Sequence, residues 1–197
     1  MKTILDSYES LLEIERSSFY SFLFPIEDEN HAKRIIEEIR KKHPKARHCC
    51  YAYKVGAFQK SSDDGEPKGT AGRPLMDVLL KNELDNTLLI VVRYFGGIKL
   101  GAGRLLRTYV DSAMLSINKA RIYTVCEAYS YKLTLSHSHY DLLLRHLLKN
   151  EVDIDDTSFE EKIIMEVSSL IDIEELINSL FHSQIKIERL EKKIKYR

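Results

Sequence analysis

Read from the N-terminus, the spacing of apolar residues changes period several times, and each change marks an expected element. SYESLLEIERSSFYSFLFPI is rich in aromatic residues and reads as strand-forming chain, with Pro25 near its end. DENHAKRIIEEIRKKH follows, with Ala32, Ile35, Ile36 and Ile39 at helical spacing and Pro44 as the stop. CCYAYKV is expected to be a strand that runs straight into the loop SSDDGEPKGTAGRP. Pro74 suits the first turn of a helix whose core face would be Leu75, Val78, Leu79 and Leu80. TLLIVVRYF is almost continuously apolar, the mark of a central strand covered on both faces. GGIKLGAG breaks it, and RLLRTYVDSAMLSINKA continues as a helix with Leu106, Tyr109, Val110, Ala113 and Ile117 as its buried stripe.

Beyond this helix the pattern reads strand, helix, two strands, helix, strand. The segments are YSYKLTLS, YDLLLRHLLKN, EVDIDD, KIIMEVSS, DIEELINSLF and KIERLEKKIKY. That order is the ferredoxin-like split arrangement, with both helices on one face of a sheet. The chain is therefore expected to be α+β with two domains, 1–125 and 127–197, joined near Tyr123–Glu127.

Composition narrows the class. With 44% hydrophobic and 30% charged residues, the 197-residue chain has no apolar run near the roughly 18 residues of a membrane helix. Nor does its start show a secretory signal, so a cytoplasmic setting without a membrane partner is expected. Three cysteines, with Cys49 and Cys50 adjacent, give neither a disulfide framework nor a metal spacing. The seven histidines form no H-E-x-x-H, so no metal or cofactor is expected. The net charge of zero conceals a split. Residues 1–126 carry 20 Lys/Arg and 16 Asp/Glu, a balance of +4, against −4 for the remainder. Within 40–107 there are 14 basic and 6 acidic residues, which favours an anionic partner.

Two loops concentrate unusual residues. The first places Gly65, Gly69, Thr70 and Gly72 among Asp63, Asp64, Glu66, Lys68 and Arg73. The second holds Gly96, Gly97, Lys99, Gly101 and Gly103 between a buried strand and a helix start, where free N–H groups favour an anion. Lys99, Arg104 and Arg107 are cations near a helix N-terminus, each costing about 0.3–1 kcal/mol when exposed unless an anion compensates. Arg93, directly after LLIVV, must escape at the strand end or find a carboxylate such as Asp63, Asp64 or Glu66. The two loops are thus expected to meet in one site. Lys68, Arg73, Arg93, Lys99, Arg104 and Arg107 are its candidate anion- or RNA-binding residues.

Sharper motifs fail on spacing. GGIKLGAGR lacks the Lys-Ser/Thr of a P-loop, and Leu106 stands where a dinucleotide-binding third glycine belongs. No serine occupies a nucleophile elbow, and Cys49 and Cys50 alternate across a strand as small apolar residues do. No catalytic residue is assigned. Tyr51, Tyr53, Tyr94 and Phe95 are candidates either for stacking bases or for packing a core.

ARHCCYAY, DDGEPKGTAGRP and VVRYFGGIKLGAG together resemble the N-terminal domain of the IMPACT/YigZ family, whose bacterial members add a ferredoxin-like C-terminal domain. The pattern departs at Arg104, where the family usually has a second glycine. The resemblance implies a first domain like the second domain of a ribosomal small-subunit protein. It implies a second domain like the last domain of elongation factor G. Eukaryotic relatives regulate translation by competing for the activator of a kinase that responds to amino-acid starvation, using an additional protein-binding domain. The leading expectation is a translation-associated regulatory factor that binds RNA or a ribosome-associated component through the glycine-rich loops. Whether the protein is an enzyme stays open. One rival is a small enzyme acting on a phosphate- or carboxylate-bearing substrate, with Asp63, Asp64 or Glu66 as base and Arg93 or Lys99 as clamp. The other is a protein-interaction module using the C-terminal domain.

Overall fold

A two-residue turn sets the first sheet. After β1 (Lys2–Ile4), the strands β2 (Tyr8–Ile14) and β3 (Ser17–Pro25) are joined by Glu15 and Arg16. Both turn residues have positive φ, 48° and 61°, as a type I′ hairpin requires. α1 (Glu29–Lys42) follows, its first turn capped by the Asp28 carboxylate, which accepts from the His31 N–H at 2.7 Å. A second hairpin, β4 (His48–Val55) and β5 (Phe58–Ser62), precedes α2 (Gly72–Lys81), β6 (Thr87–Tyr94) and α3 (Ala102–Lys119).

These five strands form an antiparallel sheet in the order β2-β3-β6-β4-β5. β6 is its centre, and its alternation divides the core. Leu88, Ile90 and Val92 pack with Ile36 and Ile39 of α1 on one face. Leu89 and Val91 pack with Leu75 and Leu79 of α2 and Tyr109 and Ala113 of α3 on the other. Burial on both faces is why TLLIVV carries no polar alternation although its neighbours are antiparallel.

The structure, a computed structural model describing residues 1–197, divides into units Met1–Thr124 and Val125–Arg197. β7 (Ile122–Leu135) carries the chain from the first into the second, and its first residues pair with β1. The second unit continues with α4 (His137–Lys149), β8 (Asp153–Phe159), β9 (Ile163–Ser169), α5 (Glu174–Phe181), β10 (Lys186–Arg189) and β11 (Lys193–Tyr196). β7 lies between β9 and the β10/β11 edge, and β8 closes the far side of β9. Every pairing is antiparallel, which is the interleaved order of the split arrangement. Tyr131, Leu133 and Leu135 share one core with Leu143 and Leu147 of α4 and Ile177 and Phe181 of α5, so both helices cover the same face.

Four local expectations are corrected. The chain does not pass directly from CCYAYKV into the glycine-rich loop, because Phe58–Ser62 first turns back as an edge strand. In α2, Leu80 is exposed and Met76 is buried. In α3, Leu106 is exposed and Val110 only half-buried, while Leu105, Thr108 and Ser112 are buried. KIERLEKKIKY is two short strands rather than one. No helix is long and apolar enough to cross a membrane.

Candidate functional site

Register places three chemically distinct side chains in a row. Phe19 of β3 and His48 of β4 each lie directly opposite Arg93 of β6, on the face that α2 and α3 cover. Arg93 is only 5% exposed, and its guanidinium carbon lies 5.3 Å from the Phe19 ring centre and 5.5 Å from that of Phe95. Its Nη1 donates to Glu66 Oε1 at 2.7 Å, while its Nε has no hydrogen-bond partner. The buried Glu66 carboxylate also accepts from the Tyr109 hydroxyl at 2.8 Å. Cys50 Sγ lies 3.4 Å from the same hydroxyl. Burial above all, then the neighbouring Cys50 and Glu66, raise the Tyr109 phenol far beyond its ordinary range.

His48 completes the group. Its Nδ1 is 2.9 Å from the Asp64 carbonyl oxygen. A carbonyl can only accept, so Nδ1 carries the proton and Nε2 faces Glu66 Oε2 at 4.0 Å.

The first glycine-rich loop is built by its own acids. Asp63 accepts from the backbone N–H groups of Gly69, Ala71 and Gly72 at 2.8–2.9 Å, which also caps the start of α2. Burial works against its charge, but those three N–H groups hold its pKa below the usual carboxylate value. Asp64 accepts from the Cys49 N–H at 2.7 Å and pairs with Arg40 at 2.5 Å. Thr70 closes the loop by donating to the Pro67 carbonyl at 2.6 Å. Gly72 admits no side chain, since a Cβ would lie 2.6 Å from the Ser62 backbone. The second loop is pinned similarly. The Gly96 N–H donates to Ser17 Oγ at 3.0 Å, and a Cβ on Gly96 would fall 2.1 Å from the Arg16 carbonyl carbon.

The loops meet over an open cavity of about 390 Å³. Its wall is formed by Glu66 and Pro67 from one loop and by Lys99, Leu100 and Gly101 from the other. Arg47, His48, Arg93, Phe95, Ala102 and Leu105 complete it. Ala102 begins α3, whose N-cap Gly101 offers no side chain and whose first turn has no acidic residue. Oriented N–H groups, Lys99 and Arg47 therefore face a space beside the exposed Phe95 ring.

Of the six cations singled out in the sequence, only Arg93 and Lys99 line this cavity. Arg104 is exposed and reaches Glu15 at 2.9 Å, so the position where the family usually has glycine does not border the space. Lys68, Arg73 and Arg107 are exposed outside the lining. Arg47, His48 and Tyr109 also belong to the site, although no motif in the sequence assigns them to it. Strand alternation was the available signal for His48, because it shares a face with Cys50 and, across the register, with Arg93. Gly65, Gly69, Gly97 and Gly101 adopt positive φ, while Gly103 lies in the first turn of α3. No group of histidine, cysteine or acidic side chains has the geometry to hold a metal.

The family model described as Impact N-terminal domain matches residues 15–117. The protein "IMPACT family member YvyE" of Bacillus subtilis (strain 168) is 44% identical over 119 residues, 59% of this chain and 55% of its own length. The match thus spans little more than half of that relative. An "IMPACT family member" of Haemophilus influenzae is 33% identical over 156 residues, 77% of this chain and 76% of its own. A solved structure described as that of a hypothetical protein is similar with a TM-score of 0.60 at 25% identity, covering 96% of this chain and 97% of that chain.

Proposed function

The chain belongs to the IMPACT family, and from that premise we propose that it is a cytoplasmic regulatory factor of translation that binds RNA or a ribonucleoprotein through the cavity between its glycine-rich loops. The translational part of the reading rests on the family resemblance. The RNA part rests on one observation: Arg47 and Lys99 converge with the uncapped start of α3 on a space walled by the Phe95 ring. A phosphate satisfies the cations and the N–H groups together, and an adjacent base has an aromatic face to stack on. The exposed Lys68, Arg73, Arg104 and Arg107 would add attraction at longer range.

The test is a titration of a fluorescent single-stranded RNA at several salt concentrations. Wild-type affinity should fall steeply, and Lys99→Ala or Arg47→Ala should each flatten the log–log slope by about 0.7. Absent binding, or binding indifferent to salt, would remove RNA as the ligand.

A second reading draws on His48, which lines the cavity with its Nδ1 held by the Asp64 carbonyl. The same space could hold a small phosphate- or carboxylate-bearing substrate, with His48 exchanging the proton. Asp63 and Asp64 are unsuited to act as its base, because backbone N–H groups and Arg40 already occupy their oxygens. Turnover of phosphate monoesters that is lost in His48→Gln would favour this reading over RNA binding.

A further inference from the structure

The second surface with the makings of a site is the outer edge of β2, remote in chemistry from the loop cavity and independent of the reading above. In a two-residue hairpin the closing pair, here Ile14 and Ser17, is hydrogen-bonded. Antiparallel alternation then turns the backbone groups of Leu12, Ser10 and Tyr8 toward β3 and those of Glu9, Leu11 and Glu13 away from it. β2 ends the sheet, and the three outward amides have no backbone partner elsewhere. The one outward group that is engaged is the Glu9 carbonyl, which accepts from the Lys119 ammonium at 3.0 Å.

The same edge borders a groove of about 740 Å³. Residues 7–11 form one side, Tyr20, Phe22 and Phe24 the aromatic floor, and Ile39, Lys42 and His43 of α1 the far wall. Leu11 is 46% exposed beside it. Along the strand, Glu9, Leu11 and Glu13 point to this face, and neither carboxylate takes part in an ion pair. Ser18 Oγ, at 3.5 Å, is the one side chain hydrogen-bonded to Glu13.

We propose that β2 accepts an extended basic segment of a protein partner as an added antiparallel strand, with an apolar side chain of that segment in the aromatic groove. Main-chain bonds to residues 9, 11 and 13 supply the pairing, as in other strand-addition sites. The side chains specify the pattern: Lys or Arg across from Glu9 and Glu13, and an aliphatic or aromatic residue across from Leu11. The incoming strand displaces the Lys119 ammonium from the Glu9 carbonyl. A second copy of this chain is a poor occupant, since pairing about Leu11 would set Glu9 against Glu13 twice.

The full chain, labelled with nitrogen-15, is titrated with the peptide Thr-Arg-Thr-Val-Thr-Arg-Thr and, separately, with Thr-Glu-Thr-Val-Thr-Glu-Thr. The basic peptide should bind saturably and slow hydrogen exchange at the amides of Glu9, Leu11 and Glu13. Charge reversal by Glu9→Lys with Glu13→Lys should weaken it about tenfold, the loss of two cross-strand charge pairs. Leu11→Pro removes an outward N–H and an apolar contact but no bond to β3, so it should abolish binding while the rest of the spectrum is kept. If that variant does not fold, the charge-reversal pair still decides. Equal binding of both peptides, or protection that maps elsewhere, overturns the proposal. So does binding of oligouridylate at these amides, or their protection in a dimer before any peptide is added.

Discussion

A buried carboxylate has to be compensated within its own shell, and Glu66 does so with a guanidinium at 2.7 Å and a phenol at 2.8 Å. Glu66→Ala leaves Arg93 charged and unpaired in the core, so it should cost about 3–5 kcal/mol in a urea unfolding series. Glu66→Gln, which keeps an acceptor for Tyr109, should cost less. The Cys49 and Cys50 thiols, in the cores on opposite faces of the sheet, are protected by burial as well. Desolvation pushes the Cys49 pKa up to about 11, and raises Cys50 further still. Native protein should therefore resist iodoacetamide at both positions at pH 8, and unfolded protein should not, as peptide mass spectrometry would show. That Arg93 needed a carboxylate was legible from a charge following LLIVV. Which carboxylate answered was not. The choice among Asp63, Asp64 and Glu66 is made by backbone turns, with φ of 44° at Asp64 and 84° at Gly65, that turn two acids into the loop and the third into the core.

Among the connecting elements, the loop ahead of α2 depends on Asp63. Its pKa is depressed in the folded state, so its contribution is present above the unfolded value near 3.9 and is lost as pH falls through the folded value. Asp63→Ala should be clearly less stable than wild type at pH 7, and the gap in denaturation midpoint should close in acid. Gly96→Ala drives a Cβ into the Arg16 backbone and should lower the melting temperature, at a cost of about 1–3 kcal/mol or more. Element types were largely readable because burial imposes periodicity, as in β6 and α1. Exact faces were less so. Leu105 and Leu106 both fit a helical stripe, and only the position of α3 over Phe19 and Val91 buries the first. β5 leaves no apolar period in the sequence, because FQKSS is an edge strand with almost no buried side chain.

At the scale of the chain, the cavity lies wholly within Met1–Thr124, which carries 20 Lys/Arg and 16 Asp/Glu. That unit has its own two cores and should fold alone. Circular dichroism should show a cooperative transition for residues 1–124. At low salt the fragment, relieved of the −4 of the remainder, should associate with RNA at least as fast as the full chain. Slower association would mean that residues beyond 124 contribute to capture. The charge asymmetry was visible in the sequence, whereas the convergence of Arg47, Lys99 and Phe95 required the register of three strands.

The place of β6 also has a consequence for biosynthesis. Its two neighbours, β3 and β4, are both made before it, and neither pairs with the other. A nascent chain that has emerged only as far as α2 therefore holds two half-sheets, each with an open apolar side. When Leu88–Val92 leaves the ribosome it is a β-prone, uncharged, proline-free segment that must find its slot before it finds another chain. Non-local closure of this kind is slow compared with helix formation. Refolding yield should thus drop as protein concentration rises, and Val91→Lys should trade aggregation for failure to close the sheet.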